Sequence, residues 1–127
     1  MSVEKRTIST PDALSSPALS QAVQVGNLLF VSGQVGIKPG NTTAPESLED
    51  EIELAFDGLE AVLKAAGAGL SSVVKTSCYL RDINDMGLFN DLYVRRFPAP
   101  LPSRTTIQAG LAMGLRFEID AVAVLGQ

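Results

Sequence analysis

The final stretch of the chain sets the tightest limit on what it can fold into. Across residues 115–125, Leu115, Phe117, Ile119, Ala121, Ala123 and Leu125 recur at every second position, the period of a strand that lays one face on a core. The intervening residues Arg116, Glu118, Asp120, Val122 and Val124 start charged and end apolar. Leu28, Leu29, Phe30 and Val31 are also apolar on both faces, as strands are when both sides are covered. A sheet built on such strands needs cover on two sides, so the helices available in the chain decide what else must be present.

Two helices are legible. Leu48, Ile52, Ala55, Phe56, Leu59, Val62, Leu63 and Ala66 fall in one stripe at 100° per residue, and Gly67 and Gly69 supply the stop. Glu53, Asp57, Glu60 and Lys64 form the opposite, solvated face. Asp82 and Asn84 offer N-caps for a second helix with the stripe Met86, Phe89, Tyr93 and Phe97. Asn90 lies on that apolar stripe, where an unpartnered amide costs about 1–3 kcal/mol, so it is either a tie to a loop or part of a site.

The strands read as residues 22–25 and 28–32 in a hairpin around Gly26-Asn27, ended by Gly33, then 73–80, 104–109 and 115–125. Clusters of Pro, Gly, Asn and Thr at 38–45, and prolines at 98, 100 and 102, read as loops. The whole, residues 1–127, suits one domain. Two helices cover one side of such a sheet. The simplest cover for the other side is a second copy of the chain, which predicts a homo-oligomer with sheet faces at its interface. The bland alternative is a set of singly exposed valines.

Composition restricts the chemistry. There is no His and only Cys78, which excludes a His/Cys zinc cluster, a disulfide within the chain, a His-based triad and a Cys–His dyad. The net charge of −4 and the scattered Lys and Arg residues, apart from Arg95-Arg96, disfavour nucleic acid as a partner. The polar opening leads into no apolar segment, and no stretch approaches the ~18–20 residues of a membrane span, so the expectation is a cytoplasmic protein with no membrane partner.

If the last two strands form a hairpin about Leu111, Arg104 and Glu118 lie near-opposite, each seven positions from the centre. As a plain cross-strand ion pair they contribute about 0.2–1 kcal/mol. As a site, the guanidinium fork matches a carboxylate, and a Glu kept ionised by that charge can orient a water. Ser32-Gly33-Gln34 is a second polar spot at a strand end.

Taken in order, Leu19-Ser20-Gln21-Ala22, Gly26-Asn27-Leu28-Leu29-Phe30-Val31-Ser32-Gly33-Gln34, Val74-Lys75-Thr76 before Tyr79-Leu80-Arg81-Asp82, Pro102-Ser103-Arg104-Thr105, and Phe117-Glu118-Ile119-Asp120-Ala121-Val122-Ala123 span nearly the whole chain. This series resembles the Rid/YjgF family of reactive intermediate deaminases. The resemblance implies an α+β, chorismate-mutase-like fold: a single mixed β-sheet with two helices packed on one face, in a homotrimer with inter-subunit clefts. It implies hydrolysis of enamine/imine intermediates such as 2-aminoacrylate and 2-iminopropionate to 2-keto acids and ammonia, with no cofactor and no metal. The ligand is then a small imine or keto acid.

Carried over by position, Arg104 matches the arginine that binds the substrate carboxylate and Glu118 the glutamate that positions the attacking water. Ser32 and Gly33 match residues lining the cleft, and Asn90 matches an asparagine of its wall. Thr106 stands at a family cysteine that contributes largely through its backbone carbonyl. Leu19 replaces a pocket tyrosine, which leaves more apolar room and suggests larger imines. Thr105, Phe117 and Ala112 are further departures. Two other functions compete: a non-catalytic trimeric binding protein for small carboxylate metabolites, which needs Arg104 but not Glu118, and a ribonuclease or translation inhibitor, which the acidic charge opposes.

Overall fold

The computed structural model describes residues 3–126, so Met1 and Ser2 of the polar opening, and Gln127, lie outside the described residues. β2 (Ala22–Val25) and β3 (Leu28–Val35) form the expected hairpin, with Val25 opposite Leu28. Gly26 turns it at φ 59°, a left-handed backbone that favours glycine. β1 (Arg6–Ile8) pairs with β2 at one edge of the sheet; three residues are too few to carry a readable alternation. β4 (Val73–Leu80), β5 (Ser103–Gln108) and β6 (Phe117–Val124) complete one mixed sheet in the order β1-β2-β3-β6-β4-β5.

The first helix, α1 (Leu48–Ala65), starts where the Ser47 hydroxyl accepts from the Asp50 N–H at 3.0 Å, and Glu49, Asp50 and Glu51 in its first turn suit the positive end of the helix dipole. Its stripe of Ile52, Ala55, Phe56, Leu59, Val62 and Leu63 is buried together with Leu29, Val31, Phe117, Ile119 and Ala121 of the sheet. The second helix, α2 (Met86–Arg96), adds Phe89, Leu92 and Tyr93 to the same core. Phe56 meets Tyr93, Phe97 and Phe117 edge-on, with centroids 6.2, 5.7 and 5.8 Å apart. Arg96 binds Glu53, Asp57 and Glu60 and so ties α2 to the outer face of α1. Asp82 caps a short 3-10 turn (Ile83–Asp85) ahead of α2 rather than α2 itself.

Three further expectations fail for identifiable reasons. The last two strands do not form a hairpin: β5 runs parallel to β4 at the sheet edge, and β6 inserts antiparallel between β3 and β4. β6 has its alternating apolar face along its whole length and takes a central place, whereas Ser103–Gln108 is mostly polar and exposed and suits an edge. Gly33 does not end its strand; β3 continues to Val35, with a register irregularity against β6 between Val31 and Gln34 that leaves Ser32 and Gly33 in a bulge. Arg116 does not share a face with Glu118, because it precedes β6 and turns to an ion pair with Glu51 at 2.7 Å.

Both helices pack on one side of the sheet. The other side carries Leu28 and Phe30 of β3 beside Val124 and Val122 of β6, and Phe30 keeps 46% of its surface exposed. Among the described residues nothing from this chain covers that face. No helix among them is long and apolar enough to cross a membrane.

Candidate active site

Arg104 sits on the edge strand β5, opposite the buried Thr76 of β4, and both residues point to the helix side. Its guanidinium lies over the rings of Phe89 and Tyr93, 4.8 and 4.9 Å from their centroids. Nη2 donates to Asn90 Oδ1 at 2.7 Å. The apolar stripe of α2 thus supplies the platform, and the one amide on that stripe fixes the fork. Asn90 is therefore a tie to a strand residue that belongs to the candidate site. Among the described residues no carboxylate pairs with Arg104, unlike Arg96 and Arg116. The remaining N–H groups are free to take a planar anion.

Thr106, two residues along β5, lies opposite Cys78, and its Oγ1 is buried with no hydrogen-bond partner. Beneath it the Thr76 hydroxyl and Tyr93 OH are 2.8 Å apart, and Cys78 Sγ donates weakly to Thr76 Oγ1 at 3.8 Å. Burial pushes the Cys78 thiol up to about 12, so it is a packed thiol rather than a nucleophile.

Glu118 is on the other side of the sheet. It lies opposite Val35 on one flank and Tyr79 on the other, and Phe117 and Ile119, which bracket it, point into the core. Burial, and then the neighbouring charge of Asp120, raise its carboxyl above the ordinary glutamate value. Tyr79 OH donates to Asp120 Oδ2 at 3.0 Å, which holds that second carboxylate in place. Gly33 packs directly on Glu118: a Cβ there would collide with Oε2 and lie 3.0 Å from the carboxyl carbon. Any side chain at this position of the bulge would displace the acid. The Ser32 hydroxyl donates to the Ser20 carbonyl at 2.6 Å, which anchors the segment after Leu19, itself 54% exposed.

The structure therefore gathers the named residues into two groups. Arg104, Asn90 and Thr106 lie on the helix side at the β5 edge, while Glu118, Ser32 and Gly33 lie on or beside the open face. The near-opposite pairing of Arg104 with Glu118 is overturned, since β4 runs between their strands and their side chains leave opposite sides of the sheet. Nor does Arg104 hold Glu118 ionised within the chain, because the influences on that carboxyl are burial and Asp120. No group of three or more potential metal ligands comes together among the described residues.

Residues 9–125 match the family model described as Endoribonuclease L-PSP. The chain belongs to the Rid/YjgF family. It is 41% identical over 128 residues to the 2-iminobutanoate/2-iminopropanoate deaminase of Rattus norvegicus, across 98% of this chain and 93% of that relative. It is 40% identical over 127 residues to Reactive Intermediate Deaminase A, chloroplastic, of Arabidopsis thaliana, across 98% of this chain and 68% of the relative. The crystal structure of RidA from the Antarctic bacterium Psychrobacter sp. superposes with a TM-score of 0.90 at 33% identity, covering 94% of this chain and 99% of that one.

In this Rid/YjgF chain, sequence reasoning missed the platform under Arg104 and the Tyr79–Asp120 contact beside Glu118. Phe89 and Tyr93 read only as core. Their signal was present, because Asn90 stands between them on the same helix and a polar residue flanked by aromatics on a buried stripe needs a partner beyond its own helix.

Proposed function

We propose that this chain hydrolyses small 2-imino acids to 2-keto acids and ammonia in clefts formed by two subunits of a homotrimer. The observation that carries the reading is the Arg104 fork: stacked on two rings, braced by Asn90 and free of any acid partner among the described residues. Such a group is organised in advance for a planar carboxylate. Glu118 receives a different task. Its carboxylate, held beside Asp120 at the bulge, takes a proton from water as the water oxygen attacks the imine carbon. Water adds to C2 of the protonated imine as Glu118 takes its proton, Glu118 returns that proton to the nitrogen, and the C–N bond breaks to release ammonia while the C2 hydroxyl gives its proton back to Glu118 and becomes the carbonyl. Thr106 and Ser32 line the path of the departing nitrogen, and exposed Leu19 gives the substrate side chain an apolar wall.

Because Arg104 and Glu118 leave opposite sides of one sheet, the reading requires the β5 edge of one subunit against the open face of the next. That contact joins two different surfaces, which rules out a two-fold dimer through it and builds a closed ring when the rotation between subunits is a third of a turn. The exposed Phe30 and its valine neighbours are the apolar part of that contact. The names of the relatives at about 40% identity point to the same chemistry. Residues 1–127 act as one unit in this proposal, and a cytoplasmic location remains part of it.

The test supplies 2-imino acid from an amino-acid oxidase and follows ammonia and keto acid against the spontaneous rate. Acceleration by the wild-type protein and none by Arg104→Ala supports the reading; a wild-type rate equal to buffer refutes it. If the family label instead reflects RNA cleavage, purified protein cuts RNA in an Arg104-dependent way. The charge of −4 and the absence of a basic field argue against that outcome.

A further inference from the structure

The bulge in β3 leaves a mechanical problem. Beyond it β3 keeps two pairs with β6, Gln34 with Ile119 and Val35 with Glu118, and the irregularity separates them from the Val31–Ala121 pair. Two residue pairs past a bulge do not hold register by themselves, yet Glu118 lies there and its place fixes where a water can be activated.

An ion pair with a buried acid and a half-buried arginine lies against that segment. Glu51, in the first turn of α1, is fully buried, an unusual place for a carboxylate. Its Oε2 accepts from the Arg116 backbone N–H and its Oε1 from Arg116 Nε, both at 2.7 Å. Arg116 Nη2 also donates to the carbonyls of Pro45 and Glu46 at 3.1 and 3.2 Å. Gly36, the residue after Val35, packs so closely on this turn that a Cβ would sit 2.6 Å from Glu51 Cγ. The ion pair therefore ties the start of β6 to the first turn of α1 and to the loop leading into it, and the Glu51 backbone and Cγ pack against the end of β3. Stability is a poor reason for such a pair, because buried ion pairs are commonly replaceable by apolar residues at no loss.

We propose that Glu51 and Arg116 are positioning residues for Glu118: they clamp the short post-bulge register of β3 and β6 from the helix side and never touch substrate. The inference rests on the deaminase reading only for its kinetic test. Arg116→Lys keeps the charge but removes the fork, and Glu51→Gln keeps the shape but removes the charge. Each is expected to lower kcat about 10- to 100-fold, as a displacement of order 1 Å does, with KM changed less than about threefold. The double variant is expected to be little worse than either single one, because the two residues act as a unit. A purely structural pair would lower the melting temperature and leave kcat per folded trimer intact, and that result overturns the proposal. A second readout is independent of activity: the carboxyl ¹³C signal of Glu118, assigned with Glu118→Gln, shifts in the Lys and Gln variants if the clamp sets its surroundings. An unmoved signal overturns the clamp whatever the substrate is. A wild-type protein without deaminase activity but with a shifted signal upholds the clamp and defeats only the proposed reaction.

Discussion

Mixing two inactive variants gives the sharpest test of a shared cleft. Arg104→Ala removes the carboxylate fork and Glu118→Gln removes the acid, and these groups leave opposite sides of the same sheet, separated by β4. If each cleft takes its arginine from one subunit and its glutamate from the next, each pure variant has three dead clefts. After the two are unfolded together and refolded at equal amounts, about three-quarters of random trimers contain both variants, and each of those has one intact cleft in three. The mixture should therefore recover about one quarter of the wild-type activity per subunit from two preparations that have none alone. The assay is initial-rate ammonia release from oxidase-generated imine, with exchange verified by mass spectrometry of intact trimers. If both residues serve a cleft within one chain, no mixture contains a complete site. Verified mixed trimers with no recovered activity would then refute the two-subunit arrangement.

Other perturbations address single links. Gly33→Ala meets only the mobile end of a side chain, so the protein should fold and keep its melting temperature while the displaced Glu118 carboxyl lowers kcat about 10- to 100-fold. Asn90→Ala frees the Arg104 fork and should raise KM roughly fivefold to tenfold with little change in kcat, by the loss of one charge-assisted hydrogen bond. Phe30→Glu puts a charge on the uncovered face; analytical ultracentrifugation should show monomer, with activity falling to the spontaneous rate although Arg104 and Glu118 are intact. In the single chain the Glu118 carboxyl lies above its ordinary value, and in the proposed assembly an arginine brought near it would lower it, so assembly would release a proton. The trimer should thus weaken as pH falls through the Glu118 titration and strengthen as pH rises, a dependence that Glu118→Gln should flatten.

Helix α1, strand β4 and the β2–β3 hairpin were legible because their patterns are local. A 3.6-residue stripe, a run of β-branched residues and a Gly-Asn turn each act within one element. The partner of β6 was not legible, since turn spacing alone favoured the neighbouring strand. The choice rested on which strand could bury its flanks, a property of the sheet as a whole. The same blindness hid Glu51: it stands one position before Ile52 at the border of the stripe, and only the arrival of Arg116, 65 residues later, turns a solvated acid into a buried one.

That misplaced strand has a functional consequence. A β5–β6 hairpin would have set Arg104 beside Glu118, where the guanidinium neutralises the acid and each satisfies the other, leaving neither for a substrate. Inserting β6 between β3 and β4 keeps the two apart within the chain, so among the described residues the fork has no acid and the acid no cation. Each group remains incomplete until another surface arrives. The face that holds Glu118 is also the face where Phe30 and its valine neighbours lie uncovered, so a contact that hid the apolar surface would be the one to bring a second chain's fork to the acid. In the proposed assembly, burial would supply the free energy for holding two chemically unsatisfied groups near each other, and the substrate carboxylate and a water, rather than a salt bridge, would fill the space between them.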